Sequence, residues 1–66
     1  MLTLVPTRKA RFQAALILTG MTQGQWAELG GRTRGYVNMV LNGKMQSRKL
    51  DQEIDAFVAE VEARVA

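Results

Sequence analysis

Sixty-six residues without a single cysteine or histidine make one small domain that lacks both a disulfide framework and the usual zinc or iron ligands, and no cofactor is expected. A chain this short buries proportionally little surface, so its own core supplies only a few kcal/mol and oligomerisation, as a homodimer, is the expected support. The net charge of +3 is unevenly placed: residues 1–50 hold eight Lys/Arg against the single acid Glu28, while residues 51–66 hold Arg64 against five acids, a basic body suited to a phosphate backbone and an acidic tail that should point away from it.

Met1 to Val5 alternate weakly and suit a short arm. Pro6 and Thr7 mark a helix start, with Thr7 as N-cap ahead of Arg8 to Thr19 and Gly20 as the stop. That segment contains the longest wholly apolar run, Ala14 to Leu18, far short of the ~20 residues of a membrane span. No basic n-region precedes a secretory core either, so a soluble, cytoplasmic protein is expected. Thr22 signals a second start, its hydroxyl placed to cap the amides of Gly24 and Gln25, and Gly30 with Gly31 interrupts the helix soon afterwards. A third start falls at Thr33, and the apolar spacing of Tyr36, Val37, Val40 and Leu41 continues until Asn42 and Gly43. From Ser47 the set Leu50, Ile54, Phe57, Val58, Val61 and Val65 repeats at helical spacing, with Asp51, Glu53, Asp55, Glu60 and Glu62 on the other faces. The chain reads as all-α, with no internal repeat and a long C-terminal helix over 47–65.

The informative segment is MTQGQWAELGGRTRGYVNMVLNG, residues 21–43, where a short helix, a glycine turn and a second helix fit a helix-turn-helix over 22–42. In such a unit the second helix lies in the major groove with its N-terminal residues against base edges. Those residues here are Thr33, Arg34 and Gly35.

With Thr22, Gln23, Ala27, Gly31, Val37, Asn42 and Gly43 at matching spacing, residues 10–58 resemble the Cro and lambda-repressor-like (XRE) family of DNA-binding proteins, many of which are phage or mobile-element regulators. The resemblance implies a four-helix domain in which Gln23 touches a phosphate and braces the recognition helix, while Asn42 contacts the DNA backbone. Arg34 falls at the leading base-reading position, and a guanidinium suits guanine O6 and N7. Asn38 is placed to pair with adenine, and Met39 to meet a thymine methyl. Arg32, Thr33, Tyr36, Lys44 and Arg48, with Lys49 beside them, complete the expected DNA contacts.

The chain departs from the family in several places. Gly30 and Arg32 stand where apolar core residues usually flank the turn glycine, with Leu29 available to compensate by a register shift. Gly35 replaces a side-chain reader and weakens its helix by ~1 kcal/mol relative to alanine. Leu16, Ile17 and Leu18 form an apolar surface that needs a cover, from the last helix or a second subunit. Trp26 reads as core, Met39 as gap-filler more readily than as base reader, and Arg8, Lys9 and Arg11 as secondary phosphate contacts or plain solvated charges. Phe57, Val58, Val61 and Val65 continue an apolar stripe past what so small a domain needs, and are the expected dimer seam.

An enzyme is excluded by reasoning on the residues: no His, no Cys, no phosphate loop after a strand, and Glu28 as the one carboxylate outside the tail. The reading is a sequence-specific binder of double-stranded DNA, a repressor or autorepressor of a phage or mobile-element operon, such as one encoding anti-CRISPR genes, on an inverted-repeat operator. No small-molecule ligand is expected. The competing reading is a helical protein-interaction module or antitoxin-type partner.

Overall fold

The computed structural model describes residues 7–65, which form four helices and, among those residues, no strand. They are α1 (Arg8–Thr19), α2 (Gln23–Leu29), α3 (Arg34–Leu41) and α4 (Arg48–Val65). The arm predicted over Met1–Val5 lies outside the described residues.

Each helix starts where a hydroxyl can replace a missing backbone acceptor. Thr7 takes the amide of Ala10 at 3.1 Å, Thr22 that of Gln25 at 3.1 Å, Thr33 that of Tyr36 at 3.2 Å and Ser47 that of Leu50 at 3.2 Å. Thr22 serves Gln25 and not Gly24, and the Gln25 side chain returns the favour, its Oε1 accepting from the Thr22 amide at 2.9 Å. This is a reciprocal capping box, which satisfies two orphan donors at once.

The first three helices share one ending. The amides of Met21, Arg32 and Lys44 reach back to the carbonyls of Leu16, Ala27 and Met39, the six-to-one bond that needs a left-handed residue just before the donor. At the α2–α3 turn that residue is Gly31, at φ 73°.

The core draws on every helix: Phe12, Ala15 and Leu16 from α1, Ala27 from α2, Val37 and Val40 from α3, and Leu50, Ile54, Val58 and Val61 from α4. Helix α4 packs chiefly along α1, and α2 on α3. Trp26 joins the core as expected, edge-on to Phe12 with ring centroids 4.9 Å apart, and Phe57 closes the triangle at 5.7 Å from each of them. Among the described residues no helix is long and apolar enough to cross a membrane.

Two expectations about apolar surfaces are corrected. The stripe assigned to a second subunit is largely spent within the chain: Val58 and Val61 are buried, Phe57 is half-buried against the core, and Val65 alone is well exposed. The cause is α1, whose buried face lies along α4 well past the point where a domain this small was expected to end. Leu29 does not fill the place left by Gly30 and Arg32, for it is 79% exposed. Of the α1 apolar surface, Leu16 is covered while Ile17 and Leu18 remain outside.

Candidate nucleic-acid interface

Val37 and Val40 anchor α3 in the core, which leaves the opposite side of the helix to solvent. Arg34, Asn38 and Asn42 stand there, all exposed, and their spacing of four residues aligns them along one face. Beside them Gly35 and Met39 are exposed, while Tyr36 is half-buried with its ring against the core. The start of α3 is fixed twice: Thr33 caps it, and Gln23 of α2 donates from Nε2 to the Arg34 carbonyl at 3.4 Å. The bracing role assigned to Gln23 thus has a geometric counterpart.

Arg32 departs from its assignment as a DNA contact. Its side chain is only 17% exposed, and Nη2 lies 2.6 Å from Glu53 Oε2 on α4. That oxygen is enclosed yet not reached along a hydrogen-bond direction, so Coulomb attraction holds the pair. Arg32 therefore clips the α2–α3 turn to α4.

The α4 acids, expected to point away from a phosphate backbone, pair with cations of the basic body. Arg8 pairs with Asp51 and, at 3.4 Å, with Asp55. Arg11 grips Glu62 with two hydrogen bonds, at 2.6 and 3.0 Å, and this bonding holds the Glu62 carboxyl below its ordinary range while raising the Arg11 guanidinium. Arg64 takes Glu60 one turn away. The phosphate contacts entertained for Arg8 and Arg11 are thereby engaged inside the protein. Among the described residues, the cations left without a carboxylate partner are Lys9, Arg34, Lys44, Arg48 and Lys49.

An open groove of about 420 Å³ runs between the turn and the start of α4, lined by Gly31, Arg32, Thr33, Tyr36, Ser47 and Lys49. No carboxylate lines it. The Thr33 and Ser47 hydroxyls already accept from backbone amides, so each keeps its O–H to donate. The groove brings Thr33 and Tyr36 together with Lys49, whereas Lys44 and Arg48 are exposed in the α3–α4 connection and at the α4 start. Among the described residues no group of acidic side chains is arranged to hold a metal ion.

Besides the Arg8 and Arg11 pairs, sequence reasoning missed two further ties. One is Arg32 with Glu53; the other is Lys9, whose Nζ donates to Asn42 Oδ1 at 2.8 Å. Neither has a sequence signal, because each joins residues on different helices with no shared motif. No family model, no curated protein and no solved structure matches the chain.

Proposed function

We propose that the chain is a sequence-reading binder of double-stranded DNA, a small repressor in which α2 and α3 form a helix-turn-helix and α3 enters the major groove. The observation that carries this reading is the outward face of α3: Arg34, Asn38 and Asn42 in line, exposed and unopposed by carboxylate. An arginine and an asparagine so placed can make bidentate contacts to guanine and adenine edges. Lys44, Arg48 and Lys49 supply charge for flanking phosphates, a role that fixes register without reading sequence. Two copies on an inverted repeat, about 34 Å apart, would each read a half-site. Repression then follows from occupancy of the promoter.

The test is fluorescence anisotropy with duplex from upstream of the gene and a scrambled control, at two salt concentrations. Wild type should prefer the upstream duplex, and Arg34→Ala should lose about ten- to hundredfold of that preference while keeping weak, salt-sensitive binding. A second reading, a protein-interaction module, is favoured by the exposure of Ile17, Leu18 and Leu29. Equal weak binding to both duplexes, unchanged in Arg34→Ala, would select it.

A further inference from the structure

Arg32 belongs to two places at once. Its Nη2 lies 2.6 Å from Glu53 Oε2, and the same residue lines the open groove beside Thr33, Tyr36, Ser47 and Lys49. A carboxylate and a phosphodiester are rivals for such a group, since both are anions that accept from a guanidinium fork. The hold that Glu53 exerts is incomplete in two respects. Its Oε2 is enclosed without a hydrogen bond, and its side chain as a whole stays 41% exposed, so solvent weakens the attraction. Arg32 is the more enclosed member at 17%. Deprived of its carboxylate, a guanidinium so placed carries an uncompensated charge, and the groove is where an anion can reach it. The other paired arginines differ, because Arg8 and Arg11 are held by Asp51, Asp55 and Glu62 but line no part of this groove.

We infer that Glu53 is a positioning residue that withholds Arg32 from the DNA backbone, so that the chain binds DNA of any sequence less tightly than its cations allow. The inference rests on the DNA-reading function proposed above and gives Glu53 the opposite sign to a contact: it weakens binding by being present. Phosphate contacts carry no sequence information. Withholding one therefore lowers affinity for operator and bulk DNA alike, leaves the reading by α3 as it is, and lets the protein leave non-operator DNA sooner.

The experiment is an anisotropy titration of the upstream and scrambled duplexes over a range of salt, with thermal melts to establish that each protein is folded at the assay temperature. The proteins are wild type, Glu53→Gln, Arg32→Met and the double variant Arg32→Met/Glu53→Gln. Glu53→Gln should bind both duplexes about fivefold more tightly at low salt, with a salt slope steeper by about one and the preference between them unchanged. Arg32→Met should bind within about twofold of wild type, and the double variant should match Arg32→Met, because the gain runs through the arginine. A gain that persists in the double variant would show that loss of the negative charge acts by itself, and would overturn the inference. So would wild-type affinity and slope in Glu53→Gln. A second measurement needs only the wild type: the Arg32 Nε–Hε resonance should hold its position as scrambled duplex is added, and a shift that tracks saturation would show the arginine already on the backbone and overturn the withholding. Absence of any wild-type preference for the upstream duplex overturns the DNA reading and the inference together; intact preference with an indifferent Glu53→Gln overturns the inference alone.

Discussion

The guanidinium of Arg32 lies over Gly30, so close that a Cβ added there would stand 2.8 Å from Nη1. Glycine leaves the room and Arg32 uses it to reach Glu53, a half-enclosed pair between the turn and α4. Removing one member of such a pair strands the other charge, whereas removing the more enclosed member takes the burden with it. Glu53→Gln should therefore cost about 1–2 kcal/mol in urea denaturation, and Arg32→Met less than half as much. Equal costs would show that no stranded charge is involved. Arg32→Met should also leave the salt slope of DNA binding unchanged, in contrast to a phosphate contact. At this scale the sequence is least legible: it displays a cation in the turn but not the carboxylate that another helix brings to it, and Arg32 reads as a DNA contact for that reason.

Helix boundaries are legible because their causes are local. Thr7, Thr22, Thr33 and Ser47 each cap an amide three residues ahead, and Gly20, Gly31 and Gly43 take the left-handed turn that ends a helix. The partner of an apolar stripe is another matter, since periodicity states that a face is buried but not against what. Phe57 packs on Phe12 of α1 and Trp26 of α2, and Val58 and Val61 are buried in the core of their own chain. Phe12→Ala, at the centre of the aromatic triangle, should thus cost about 3–5 kcal/mol, close to the whole stability of so small a domain. Val61→Ala should lower the unfolding midpoint by the same amount at every protein concentration, where a dimer seam would make the loss concentration-dependent. The Arg11–Glu62 pair ties the outer turns of α1 and α4. Its carboxyl pKa is depressed in the folded state, so its stabilisation is present above the ordinary carboxylate pKa and is lost as pH falls through the lower folded value. Melts from pH 6 down to about pH 3 should accordingly show a shallower acid decline in Glu62→Gln than in wild type.

Over the whole molecule, charge pairing matters more than the totals. The net charge of +3 and the basic first fifty residues suggest eight cations available to a polyanion, with the acidic tail turned away from that polyanion. Packing α4 on α1 and on the turn commits Arg8, Arg11 and Arg32 to acids, so the chain neutralises its own flank, and among the described residues Lys9, Arg34, Lys44, Arg48 and Lys49 are the cations that the proposed DNA contact would have at its disposal. Counterion release converts this difference into a number, because the logarithm of affinity falls with the logarithm of salt by about 0.9 for each phosphate neutralised. On a duplex carrying one half-site, bound by one copy, the slope should be no steeper than about −4 to −5. Participation of all eight cations would bring it to about −7, and would mean that DNA pulls arginines away from α4. A slope within the smaller bound that is unaffected by Arg11→Gln, yet reduced by Lys49→Gln, would show that α4 determines which part of the basic body can meet the backbone.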